Sequence, residues 1–120
     1  MRLTPELRQR TKRYASSIIH LYAGLPRSRK EVDVLGHQLL RSGTSVAAHI
    51  REASRARSDA EFCSKMDGAV QGADESQLWL ELLKENCGIG DQQIALLHHE
   101  TNELIAIFVT MLNKTRRCSA

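Results

Sequence analysis

Aromatic side chains are scarce in this sequence, at 4% of 120 residues, and the only prolines are Pro5 and Pro26. Sandwiches and barrels are built from aromatic and β-branched strands between Pro- and Gly-marked turns, so the shortage argues against an all-β fold. Cys63, Cys87 and Cys118 are odd in number, far apart and free of any Cys-x-x-Cys pair. That pattern indicates neither a disulfide framework nor a zinc site, and it fits reduced thiols in a cytosol. No signal-peptide core follows Met1, and the longest apolar run, Leu104 to Leu112, is about half a membrane span. A soluble cytoplasmic protein without a membrane partner is the expectation. Glycine-rich phosphate loops, nucleophile elbows and Cys/His dyads are also missing.

What is present is enough apolar material for one core: 42% of residues are hydrophobic and 26% charged. A chain of this size fits a single domain over 1–120. Its hydrophobic spacing is helical throughout. Thr4 is placed to cap a first helix, with Pro5 and Glu6 in the opening turn and Leu7, Tyr14, Ile18, Leu21 and Leu25 along one face, up to the stop at Gly24-Leu25-Pro26. Ser28 and Glu31 have the spacing of a capping box for a second helix, whose stripe is Leu35, Leu39, Ser42, Val46, Ile50 and Ala53. Gly43 weakens that helix by about 1 kcal/mol relative to alanine and marks a candidate close helix contact. Ser58 and Glu61 form another capping-box pair. Behind it Phe62, Met66, Ala69, Ala73, Ser76, Leu80 and Leu83 alternate by four and three without a break. Gly88 and Gly90 interrupt the pattern, Asp91 can cap a fourth helix, and Ile94, Leu97, Thr101, Leu104, Phe108 and Met111 form its stripe. Four helices joined by short connections predict an all-α, antiparallel up-and-down four-helix bundle.

Two surfaces go beyond what such a core needs. Around Leu78, Trp79 and Leu82 on the third helix, and Ile105, Val109 and Leu112 on the fourth, apolar residues fan across about 200°, where a core-facing stripe needs roughly 100°. A subunit interface is one use for the surplus, and a heavily buried helix end is the other. The second helix shows the opposite character, since His37, Arg41, Thr44, Ala48, Arg51 and Arg55 all project away from Val46 at about 100° per residue. Arg57 and, from the first helix, Arg8, Lys12 and Arg13 extend this basic side. Guanidinium groups bind phosphate through paired hydrogen bonds, so the stripe suits a nucleic-acid backbone read without regard to sequence. A plain solvated face is the alternative. Residues 1–57 carry twelve Lys/Arg against four Asp/Glu, and residues 58–120 carry five against ten. One half thus suits a polyanion, and the other suits the basic surface of a neighbouring subunit.

Chemistry is hard to find. No glutamate is followed by histidine at di-iron spacing. His98-His99-Glu100 resembles a ligand cluster on paper, but adjacent helical residues point about 100° apart and cannot close on one ion. His20 and His37 stand alone. A helical ribonuclease of the HEPN type needs an Arg and a His within a few residues, and Arg29 to His37 and Arg41 to His49 are too far apart. The reading is a non-enzyme with no metal and no cofactor.

Several segments resemble the bacterial four helix bundle protein family, which includes proteins encoded by intervening sequences of large-subunit ribosomal RNA genes and the accessory variability determinants of diversity-generating retroelements. The likeness rests on Arg41-Ser42-Gly43-Thr44-Ser45-Val46 with Arg51-Glu52-Ala53, on Ser58, Phe62 and Lys65, on Ala69, Ala73, Glu75 and Ser76, and on Trp79-Leu80. The opening helix before Leu25-Pro26 fits the same layout. Two positions depart from the pattern: His49 where asparagine is usual, and Gly72 where many members have glutamate. The resemblance implies a homopentameric ring without enzymatic activity. It also implies contact with RNA or DNA, and with a reverse transcriptase in retroelement members, through a basic surface that would include Arg41, Arg51 and Arg55. A protein-interaction scaffold with no nucleic-acid role is the alternative reading.

Overall fold

The computed structural model describes residues 3–119. Four helices follow one another, α1 (Pro5–Gly24), α2 (Lys30–Ala53), α3 (Asp59–Glu85) and α4 (Gln92–Ser119), in a rod 49 × 20 × 20 Å. No strand occurs among the described residues.

The helix ends follow local chemistry. Thr4 Oγ1 accepts the Leu7 N–H at 3.2 Å, and Pro5 opens α1 where no amide donor is missed. Leu25 ends α1 in an extended conformation, as a residue before proline must. Ser58 Oγ accepts the Glu61 N–H at 3.0 Å, while the Glu61 carboxylate reaches back to the Arg57 N–H at 3.3 Å. Past α3, Gly88 takes a φ of +69°, which lets the Ile89 N–H turn back onto the Leu83 carbonyl at 3.1 Å. Asp91 Oδ1 accepts the Gln93 N–H at 2.8 Å at the start of α4. The expected Ser28 capping box does not form. Arg29 is the N-cap of α2, without a side-chain bond to it. Its guanidinium holds Glu31 at 3.1 Å and the Cys87 carbonyl at 2.9 Å, so the residue bridges to the end of α3 and Glu31 is committed elsewhere.

Cross-links show neighbouring helices running antiparallel: Tyr22 with His37, Glu52 with Lys65, and Gln77 with Asn102. α2 and α3 pack most closely, and α4 and α1 least. Glycines explain the tight seams. A Cβ on Gly43 would lie 2.8 Å from Ile18 of α1, and one on Gly72 would lie 2.7 Å from Ser45 Oγ of α2. All seven stripe residues of α3, from Phe62 to Leu83, are fully buried.

Midway along the rod, each helix gives one hydroxyl to a buried layer. Ser42 and Ser76 meet at 2.7 Å, as do Tyr14 and Thr101. Ser76 donates to the Gly72 carbonyl and Thr101 to the Leu97 carbonyl, so Ser42 donates to Ser76 and Tyr14 to Thr101. Among the described residues, no buried side-chain nitrogen or oxygen is left without a partner. Burial pushes the Tyr14 phenol above its ordinary pKa, against the hydrogen bonds to Thr101 and Ser76.

The departures at positions 49 and 72 find a packing role in this seam. His49 donates from Nδ1 to the Ser45 carbonyl at 2.9 Å, and its ring fills the space beside Gly68, where a Cβ would be only 2.5 Å away. Ser45 and the Ser42 carbonyl crowd Gly72 in the same way, so a larger residue there requires α2 to shift.

Candidate nucleic-acid interface

The second helix presents its basic stripe to solvent. His37, Arg41, Ala48, Arg51 and Arg55 are exposed, and Thr44 is half-buried. The C-terminal end of α2 lies beside the first turns of α1, and between them runs a groove of about 370 Å³ lined by Pro5, Arg8, Gln9, Lys12, Arg51 and Arg55. Among the described residues, four cations and no carboxylate line it. Spacing by four along α1 places Arg8 and Lys12 about 6 Å apart along the rise, while Arg51 stands in the last turn of α2 and Arg55 in the turn that follows it.

Elsewhere some cations are neutralised. Arg10 donates to Glu100 at 2.7 and 2.8 Å and to Glu103 at 2.7 Å, and these bonds, those to Glu100 foremost, raise its pKa against the pull of desolvation. Lys65 lies 3.4 Å from Glu52, and Arg116 lies 2.7 Å from Asp67. Arg29 pairs with Glu31, whose own backbone N–H and then Arg29 hold its carboxyl below the usual range. Arg8, Lys12, Arg51 and Arg55 take part in none of the ion pairs among the described residues, and neither do Arg13, Arg27, Lys30, Arg41, Lys84, Lys114 and Arg117; what sets the four apart is that they gather around one groove. Like charges left together without counter-charges make an anion site, because an arriving anion relieves their repulsion and meets their unused N–H donors.

The structure divides the remaining residues of the predicted basic side. Arg57 is almost fully exposed and leans towards Glu61 at 3.9 Å, outside the groove. Arg13 does not join Arg51 and Arg55. It lies on the opposite side of α1, facing α4, where it lines two cavities with Arg10. Helical periodicity accounts for this, since Arg13 follows Lys12 by one residue and points about 100° away.

The apolar surplus also divides. Leu112 is a core residue, 4% exposed, and not a surface one. α4 packs mainly on α3, so the residues it turns that way are covered while Met111, on the α1 side, is only partly buried. Trp79, Leu82 and Ile105 are half-buried, whereas Leu78 and Val109 are exposed. A larger apolar feature escapes the sequence reading: the loose α1–α4 seam, with cavities of about 390 and 410 Å³ and Leu7, Ile107 and Met111 in its walls. Its signals in the sequence are Ile107 and Met111, within the apolar surplus of the fourth helix, and Leu96, 59% exposed beside it and off the α4 stripe.

His98 bonds Glu81 at 2.8 Å, His99 lies 3.2 Å from Glu103, and Glu100 holds Arg10, so the three adjacent residues serve three different partners. Glu81 and His98 border a cavity of about 480 Å³ between α3 and α4, but each is occupied by the other. No group of three metal-ligating side chains occurs among the described residues, and no helix there is long and apolar enough to cross a membrane. Cys63, Cys87 and Cys118 are free thiols.

Fold and surface together define an antiparallel four-helix bundle with a cationic groove along one pair of helices. The chain belongs to the 23S rRNA-intervening sequence protein family, whose model matches residues 5–110. It is also similar to the crystal structure of a protein of unknown function from the S23 ribosomal protein family of Bacteroides thetaiotaomicron. That likeness has a TM-score of 0.79 at 34% identity and covers 88% of this chain and 96% of that one. Comparison with curated proteins returns no match.

Proposed function

We propose that this protein is a non-catalytic, self-associating bundle, a homopentameric ring on the family resemblance, whose α1–α2 face binds the phosphate backbone of RNA or DNA without reading sequence. The observation that carries the proposal is the groove of Arg8, Lys12, Arg51 and Arg55, which holds four unpaired cations and no carboxylate. The family's description, which ties its members to intervening sequences of 23S ribosomal RNA, agrees with a nucleic-acid partner. Repetition of the groove around a ring would turn weak contacts into avidity.

Binding of a fluorescent duplex at varied salt tests this. Four phosphate contacts predict a log–log salt slope of about −3.6, a loss of about 100-fold between 50 and 200 mM. Replacing Arg51 and Arg55 together by glutamate should weaken binding at least about 10-fold at low salt. Absence of binding at low salt, or indifference to the double substitution, overturns the proposal.

A second reading is favoured by the acidic character of residues 58–120 and by Leu78 exposed near Asp74 and Glu75. In it the same arginines meet an acidic protein surface, on a neighbouring copy or on a partner such as a reverse transcriptase, and the protein is a scaffold. Complexes that survive nuclease treatment favour this reading; complexes that dissolve favour the first.

A further inference from the structure

The unneutralised cations continue beyond the groove. Arg41 is exposed on the same outward face of α2 as Arg51 and Arg55, and it too has no ion-pair partner among the described residues. Between Arg41 and Arg51 this face carries Thr44 and the exposed Ala48, short side chains over which a polymer backbone can lie close. Carboxylates are absent from the whole strip: α1 has none after Glu6, and α2 has none between Asp33 and Glu52. Asp33 bounds it at one end, and Arg55, in the turn after α2, ends it at the other. Asp33 stands one turn beyond His37, its Oδ1 3.5 Å from His37 Nδ1, and Glu52 is turned away to Lys65 of α3. A strip with defined ends has a length. From Arg41 to Arg51 it measures about 15 Å at the helical rise of about 1.5 Å per residue, and Arg55, in the turn just past α2, extends it to about 20 Å.

Resting on the nucleic-acid reading above, we infer that the outward face of α2 is a track for a nucleotide polymer about six steps long, with Arg41 as its far contact. The step count follows from a rise of about 3.4 Å per nucleotide along a duplex strand. The preferred ligand is thus a polymer and not a mononucleotide or free phosphate. The groove holds one end of it, and Arg41 is reached only by ligands that span the gap over Thr44 and Ala48. Contact is with the sugar–phosphate backbone and not through stacked bases, because the strip offers no free aromatic face: Tyr14 is buried, and Tyr22 at the far end is covered by Arg27, 4.6 Å above its ring.

The experiment measures affinity at low salt for two probes, a trinucleotide and a duplex of about ten base pairs, with the wild-type protein, R41A and R51A, each variant checked by circular dichroism. The wild type should bind the duplex at least about 10-fold more tightly than the trinucleotide. R41A should lower duplex affinity several-fold, reduce the magnitude of its salt slope by about 0.9 and leave the trinucleotide unchanged, whereas R51A should weaken both. Equal loss of both probes in R41A, or loss of neither, overturns the track while leaving the nucleic-acid reading in place. Failure of the wild type to bind either probe overturns that reading and the track with it.

Discussion

Replacing Gly43 by alanine should destabilise the protein, although alanine is the better helix former by about 1 kcal/mol. A Cβ at this position would lie 2.8, 2.9 and 3.2 Å from Cγ1, Cγ2 and Cδ1 of Ile18. All three atoms belong to one fully buried, β-branched side chain, which has little freedom to swing aside. Relief therefore requires α1 to move off α2, and overpacking of this kind costs about 1–3 kcal/mol. The net expectation is a loss of up to about 2 kcal/mol. A double-mutant cycle isolates the cause. Ile18→Ala alone should cost about 2–5 kcal/mol, and Gly43→Ala made in that background should be neutral or stabilising, because the methyl group then enters space the isoleucine left. Gly24 is the control: it closes α1, and a methyl group added there would meet nothing within 4 Å, so Gly24→Ala should leave stability unchanged or raise it. Urea unfolding followed by circular dichroism gives all four numbers. A Gly43→Ala protein more stable than the wild type would refute the reasoning. The substitution also bears on the proposed interface, since the α1–α2 seam sets the distance of Arg8 and Lys12 from Arg51 and Arg55; duplex affinity should fall together with stability.

Leu112→Ala should cost about 2–5 kcal/mol as a core truncation, while Leu78→Ser should leave stability of the isolated subunit within about 0.5 kcal/mol, both read by urea denaturation. If Leu78 lies in the proposed subunit interface, the same Leu78→Ser should shift sedimentation towards smaller species. Tyr14 holds its proton more tightly folded than unfolded, so its contribution is complete below its ordinary pKa of 10.0 and is lost as pH rises beyond that value. Stability should therefore decline above about pH 10 with a Tyr14 component of at most about 1.4 kcal/mol per pH unit, and the decline should be shallower in Tyr14→Phe. Arg10→Ala, which breaks an ion-pair cluster open to solvent, should cost less than about 1 kcal/mol in chemical denaturation.

The sequence locates α3 almost completely because three signals coincide there: a cap at Ser58, an unbroken four-three stripe, and glycine just past the end. The α2 start is misread because Ser28 and Glu31 have the right spacing, while the competing claim on Glu31 comes from Arg29, which is drawn in turn to Cys87 on another helix. Periodicity within one helix carries no record of such a partner. Leu112 reads as outward for a related reason. The spacing on α4 carries its stripe to Met111, but which neighbour of a stripe is covered depends on how closely the flanking helices approach, and α4 leans on α3 far more than on α1. At the interface, the Arg41, Arg51 and Arg55 face is legible from spacing alone, whereas the meeting of Arg51 and Arg55 with Arg8 and Lys12 depends on the register between helices. Arg13 shows how sharply this matters, since one residue separates it from Lys12 and places it on the other side of α1.

The hydroxyl layer gives that register a physical basis. An apolar core of leucines tolerates sliding of one helix against the next, because one methyl contact replaces another at little cost. Four buried hydroxyls drawn from four helices do not, since sliding either pair apart leaves polar groups unsatisfied at about 1–3 kcal/mol each. Ser42 with Ser76 fixes α2 on α3, and Tyr14 with Thr101 fixes α1 on α4. Tyr14 also engages Ser76 of α3, which ties the two pairs together, and Gly43 seats Ile18 of α1 directly on α2, so the four groove cations come to face one another at the end of the molecule. Without a fixed register, Arg8 and Lys12 could move away from Arg51 and Arg55 to relieve their repulsion. The polar layer in the core therefore opposes the relaxation that would otherwise dismantle the proposed anion site on the surface.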